Sequence, residues 1–172
     1  MPTILTHAVS GLAIGNLYRS QRPRSFWIWT AVCAMLPDAD VIAFPLGIPY
    51  GHLLGHRGVS HSLAAAAVIG MATALLMHRR LGARPAPLAV YFALVTASHG
   101  VLDALTTGGP GVAFFAPFDT TRYFFPWRPI PVSPLASHFF SEWGWRVFRA
   151  EVAMIWLPAG VLMLLTGVLR RH

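Results

Sequence analysis

The chain has 172 residues, of which 55% are hydrophobic and only 11% carry charge. Soluble domains carry about 25% charged residues, so the composition excludes an ordinary soluble globule and points to a chain that lives in lipid. The net charge of +7 is set by thirteen basic residues, all Arg, against six acids. Eight of them gather in three clusters at segment ends, with Arg57, Arg122, Arg128, Arg146 and Arg149 outside these, which argues against a nucleic-acid-binding stripe and for a topology signal.

Five apolar segments follow one another, predicting an all-α, polytopic membrane helical bundle. About 18–20 apolar residues cross a hydrocarbon core of roughly 30 Å. The first segment runs roughly from Thr3 to Tyr18, is short for a span, and carries His7. No basic residue precedes Arg19, which argues against a cleaved signal peptide. The second starts near Ser25 and runs through FWIWTAVCAML, with the lone cysteine, Cys33, inside it as a packing residue. Pro37 disfavours helical geometry at Leu36, so a break or kink is expected there. Beyond it, in LPDAD, Asp38 and Asp40 stand two apart, and in extended chain their carboxylates would point the same way.

The stretch GHRGVSHS follows, from Gly55 to Ser62, with His56 and His61 on either side of Arg57 and Gly58. Gly58 lets the turn fold back tightly. The third segment starts near Ser60, read as its N-cap, and ends near His78. The fourth runs from about Pro87 to Thr106 and carries His99 and Asp103, four apart and so on one helix face. A long Pro- and aromatic-rich connection comes next. It suits an irregular cap at the membrane interface, and its length marks it as functional or disordered. The fifth segment runs from about Glu151 to Leu169, with Glu151 placed to favour the helix N-terminus. No internal repeat is evident, and residues 1–172 read as one integral-membrane domain.

Arg19, Arg22 and Arg24 follow segment one, Arg79, Arg80 and Arg84 follow segment three, and Arg170 and Arg171 follow segment five. All three clusters then lie on one side, which the positive-inside rule makes cytoplasmic. His7, Asp38, Asp40, His56, His61, His99 and Asp103 fall at the opposite, outer face. Ionisable residues at membrane depth are costly and mark function by default. Imidazole plus carboxylate suits Zn²⁺, Mn²⁺ or Fe²⁺ rather than Ca²⁺, and three Asp with four His are enough ligands for one or two divalent ions. The plainer reading is a network of interhelical hydrogen bonds and ion pairs that glues the bundle. Arg57 could neutralise Asp38 or Asp40, or bind a phosphate with its planar fork. Ser60 and Ser62 read as caps and partners of the histidines, while His52, His78 and His172 read as spectators and His138 stays unassigned.

The series His7, LPDAD, HRGVSHS, H-x3-D and the Gly-rich stretch leading to Pro117 and Phe118 resembles the YdjM-like family of inner-membrane metal-dependent hydrolases. The resemblance covers about the first two-thirds of the chain. It implies metal-dependent hydrolysis at a bacterial inner membrane. The pattern is also loosely similar to zinc-dependent phospholipases C, whose N-terminal tryptophan ligand has no counterpart here.

The expected chemistry is hydrolysis by metal-activated water, with zinc first and manganese or iron as alternatives. Asp38, Asp40, Arg57 and Asp103 are the catalytic candidates, the acids for proton transfer and Arg57 for charge on a phosphoryl or acyl oxygen. A site that opens at a membrane face under an aromatic cap suits an amphiphilic or lipid-linked ester or phosphoester, with the bilayer as partner and no nucleic acid. An ion or metal transporter would need a polar route to the cytoplasmic side, where Thr73 and Thr96 are poor substitutes for a relay. A structural or regulatory membrane protein would carry the same residues as glue.

Overall fold

The computed structural model describes residues 1–18, 23–134 and 140–169. Its helices are α1 (Ile4–Gly15), α2 (Arg24–Met35), α3 (Leu63–Met77), α4 (Pro85–Ala104), α5 (Glu142–Glu151) and α6 (Leu157–Leu169). Arg19, Arg22, Arg170, Arg171, His138 and His172 lie outside the described residues.

At Pro37 the second helix tightens instead of breaking. Leu36 keeps helical backbone angles (φ −58°, ψ −37°), and a 3-10 helix continues over Leu36–Ala43. Proline removes one backbone donor, and the tighter winding, with bonds to the third residue, accommodates that loss. The result is a continuous apolar helix over Arg24–Ala43. Asp38 and Asp40 therefore do not sit in extended chain. With three residues per turn, side chains two apart diverge, and these two carboxylates serve different neighbours.

Two further boundaries differ from the sequence reading. α3 is capped by Ser62, whose Oγ accepts from the Ala65 N–H at 3.0 Å, and Ser60 lies in the preceding 3-10 turn, Val59–His61. The last helix starts at Glu142. It runs on through a π-helical turn at Val152–Trp156, which ends one residue short of Pro158, so that Glu151 lies well inside a 28-residue apolar helix. Among the described residues, three helices are long and apolar enough to cross a membrane: Arg24–Ala43, Pro85–Ala104 and Glu142–Leu169. α1 and α3 are shorter apolar helices of 12 and 15 residues.

Small residues bring the helices together, as expected where lipid supplies no hydrophobic drive. A Cβ at Gly70 of α3 would lie 2.4 Å from the Ala93 backbone N of α4, and one at Gly11 of α1 would lie 2.6 Å from the Ala34 Cβ of α2. Phe26, Leu88, Phe92 and Val95 fill the bundle beside this contact, all fully buried. The last helix is held to α1 by Glu151. Its carboxylate accepts from the Thr3 N–H at 2.6 Å and the Thr6 hydroxyl at 2.6 Å. That carboxylate takes the place of a side-chain cap at the start of α1, where Thr3 makes none, and where negative charge is favoured.

The connection between α4 and α5 is irregular. Among the described residues it contains only two isolated bridges, Thr106 with Ile130 and Val112 with Tyr123. Phe118 and Trp127 project from it, well exposed.

Candidate metal centre

The centre forms where the N-terminal end of α1 and the C-terminal ends of α2 and α4 meet the turn before α3. α4 aims His99 and Asp103 inward, both fully buried. The Nδ1 of His99 lies 2.8 Å from the Ala34 carbonyl. A carbonyl only accepts, so Nδ1 carries the hydrogen and Nε2 presents its lone pair. That Nε2 lies 3.2 Å from Asp38 Oδ1. Two acceptors at this distance repel unless a proton or a cation lies with them.

Asp103 faces three partners. Its Oδ1 is 3.6 Å from His7 Nε2, and its Oδ2 is 2.9 Å from Arg57 Nε and 3.4 Å from His61 Nε2. His61 Nε2 is also 3.7 Å from Asp38 Oδ1. One donor atom each from Asp38, His61, His99 and Asp103 thus lies within 4.8 Å of the others, and all four residues are buried. His7 borders the four, its ring stacked on His99 with centroids 3.6 Å apart.

Several of these atoms have no hydrogen-bond partner: Asp38 Oδ2, His61 Nε2, both oxygens of Asp103 and both nitrogens of His7. Burying polar groups unpaired is expensive, and here the orphans converge on one volume. Burial opposes a charge on His61, yet the adjacent carboxylates of Asp103, Asp38 and Asp40 raise its pKa from 6.5 to about 10. These carboxylates favour positive charge at the cluster.

Asp40, His56 and His61 form a second group of possible donors. His56 Nδ1 lies 2.6 Å from Asp40 Oδ1, and His61 Nδ1 lies 3.1 Å from Asp40 Oδ2. The Ser60 hydroxyl donates to the same Oδ2, and so does the Arg57 backbone N–H at 3.2 Å. The turn that achieves this is packed tightly. A Cβ at Gly58 would lie 2.1 Å from the Leu53 carbonyl oxygen. Arg57 itself adopts left-handed backbone (φ 62°), a conformation that costs a non-glycine residue.

Arg57 points inward and is fully buried. Its ion-pair partner is Asp103, not Asp38 or Asp40. The remaining fork donates to the Gly108 carbonyl at 2.8 Å and the Thr106 hydroxyl at 3.1 Å. All seven histidines and acids singled out from the sequence gather here, with Arg57 among them. Several supports were missed: the Ala34 and Gly108 carbonyls, the Thr106 hydroxyl, and Arg122. The Arg122 guanidinium donates to the carbonyls of His56 at 3.1 Å and Tyr50 at 3.0 Å, pinning the loop. Backbone carbonyls leave no trace in sequence, whereas Arg122 is visible there as an isolated cation outside the three Arg clusters. Glu151 is tied to α1 beside His7 and is not among the grouped donors.

The family model describing the YdjM inner membrane protein matches residues 1–172, so the likeness covers the whole chain rather than its first two-thirds. The inner membrane protein YbcI of Escherichia coli (strain K12) is 38% identical over 165 residues, covering 95% of this chain and 95% of that protein. No solved structure matches the chain.

Proposed function

This chain belongs to the YdjM inner membrane protein family, and from its buried donor cluster we propose that it is a metal-dependent hydrolase acting on an ester or phosphoester of an amphiphilic or lipid-linked substrate. The observation that carries the reading is the convergence of buried donor atoms from Asp38, His61, His99 and Asp103, with Asp38 Oδ2, His61 Nε2 and the Asp103 oxygens left without hydrogen-bond partners. Nitrogen and carboxylate donors suit zinc, with manganese and iron as alternatives. A divalent ion bound there would supply a nucleophile from water near neutral pH and polarise the ester oxygen. The chain's own part is to hold the donors, to balance charge at Asp103 through Arg57, and to keep bulk water out. Because the Arg57 fork is spent on Asp103, Thr106 and Gly108, its role in this reading is to anchor Asp103 rather than to grip a phosphate directly.

Two features support an amphiphilic substrate. A groove of about 410 Å³ is lined by Leu63, Phe114, Phe115, Tyr123, Phe124 and Phe125, and Leu63 follows the His61–Ser62 turn directly. In an inner membrane such a groove would open beside lipid, which supports an amphiphilic substrate. The site would face the periplasm, opposite Arg79, Arg80 and Arg84. Conduction through the bundle is less well supported. Phe26, Leu88 and Phe92 fill it, the Thr96 hydroxyl donates to its own helix at Phe92 O, and Thr73 Oγ1 lies 3.4 Å from Cys33 Sγ.

The test is metal analysis of detergent-purified protein, followed by assay of lipid phosphoesters and lipid carboxyl esters against a small soluble ester. Metal-dependent turnover is expected, and Phe124→Ser with Phe125→Ser should reduce lipid turnover far more than turnover of the soluble ester. Wild-type protein that stays metal-free after incubation with Zn²⁺, Mn²⁺ and Fe²⁺ refutes the reading.

A further inference from the structure

Asp40 stands in the same polar cluster as Asp38 and Asp103, yet both of its oxygens have partners. Oδ2 takes the Ser60 hydroxyl and the Arg57 N–H and lies beside His61 Nδ1, while Oδ1 lies beside His56 Nδ1. The unpartnered atoms are elsewhere, on Asp38, Asp103, His7 and the far nitrogen of His61. His61 is thus the boundary between a satisfied cluster and an unsatisfied one.

Its two nitrogens cannot serve both clusters as metal ligands. A neutral imidazole has one N–H and one lone pair. Nδ1 faces the Asp40 carboxylate at 3.1 Å, so it carries the hydrogen, and a cation that displaces the proton from Nε2 would meet its lone pair on the side of Asp38 and Asp103. An ion held by Asp40, His56 and His61 Nδ1 beside one held through His61 Nε2 would require the doubly deprotonated ring. The charges agree. Three carboxylates, Asp38, Asp40 and Asp103, against one guanidinium, Arg57, leave two negative charges, which one divalent ion balances. A second divalent ion would leave uncompensated charge in a buried site, which is costly.

We infer that the centre holds one divalent cation, ligated by Asp38, His61, His99 and Asp103, and that Asp40 is a positioning residue that fixes the tautomer and orientation of His61. The inference rests on the metal-site reading above. It divides that site into ligands and the carboxylate that aims one of them, an arrangement common behind metal-bound histidines.

The experiment counts ions. Metal-free wild type, Asp38→Asn and Asp40→Asn are purified in detergent and titrated with Zn²⁺, with bound metal measured per chain and Co²⁺ absorption recorded in parallel. Wild type is expected to bind one ion. Asp40→Asn should still bind one, about 10–100-fold more weakly, with Co²⁺ bands at wild-type positions because no ligand has changed. Asp38→Asn should lose stoichiometric binding. Two ions per wild-type chain overturn this inference while leaving the metal-site reading intact, and that count needs no variant to fold. Shifted Co²⁺ bands in Asp40→Asn also overturn it, by showing Asp40 to be a ligand. A wild type that binds no ion overturns both readings.

Discussion

Arg57 and Asp103 form a fully buried ion pair between the turn before α3 and the C-terminal end of α4, with Nε 2.9 Å from Oδ2 and neither side chain exposed. Removing one partner of such a pair leaves the other charged and uncompensated, at a cost of about 3–5 kcal/mol. Arg57→Ala should therefore lower the unfolding temperature in detergent sharply. Arg57→Lys keeps the charge but not the fork shared with Thr106 and Gly108, and should fall in between. Unchanged stability in Arg57→Ala, with only turnover lost, would return Arg57 to the role of substrate anchor.

The convergence of the Asp38 and Asp103 carboxylates with His61 and His99 predicts that metal stabilises the fold. A ligand at 100 times its dissociation constant adds about 2.7 kcal/mol. Zn²⁺ added to metal-free protein should raise the unfolding temperature, and chelation should reverse the rise. Asp38→Asn and His99→Gln should abolish the response. Without metal, Asp38→Asn should be no less stable than wild type, since it relieves a buried charge. A collapse of Asp38→Asn in metal-free conditions would favour the glue reading.

Glu151 accepts from Thr3 and Thr6 and so ties the last helix to the start of α1. Hydrogen bonds to a charged acceptor contribute about 1.5–3 kcal/mol each at most, and these share one carboxylate. Glu151→Leu should cost about that much in thermal unfolding while metal stoichiometry stays at the wild-type value. Loss of metal with stability intact would place Glu151 in the centre after all.

Gly70 and Gly160 make a matched pair. A methyl at Gly70 would meet Ala93 N at 2.4 Å and Ala89 O at 2.7 Å, whereas nothing lies within 4 Å of one at Gly160. Alanine favours a helix interior over glycine by about 1 kcal/mol, so Gly160→Ala should be neutral or stabilising. Gly70→Ala should destabilise by about 1–3 kcal/mol through overpacking. Equal effects on unfolding would mean that α3 and α4 do not pack this closely.

Orientation is tested by cysteine labelling in a Cys33→Ala background. Ala86 and Thr120 are both exposed, the first beside Arg84 and the second in the cap. An impermeant thiol reagent applied from the periplasm should label Thr120→Cys and spare Ala86→Cys until the membrane is opened. Labelling of both from outside would sink the proposed topology.

Much of this protein was legible in its sequence because lipid tolerates so few charges. In a soluble chain, His7, Asp38, His99 and Asp103 would be lost among surface polar residues. Here each must find a partner, so their helix ends had to meet. The five helical segments were legible for the same reason, as long uncharged runs separated by Arg, Gly and Pro.

The division of labour was decided only in three dimensions. Asp38 and Asp40 part company because the chain winds as a 3-10 helix past Pro37, which sends one carboxylate to His99 and the other to His56. The tautomer of His99 is set by a backbone carbonyl at Ala34, and a carbonyl has no residue type to read. Arg57 chose Asp103 over nearer acids because left-handed backbone turns its side chain under α4. Glu151 read as the start of a helix because the local pattern favours an acid there, but the helix begins at Glu142. A carboxylate inside an apolar helix needs donors, and Thr3 and Thr6, on a helix remote in sequence, could be identified as those donors only once the bundle had closed.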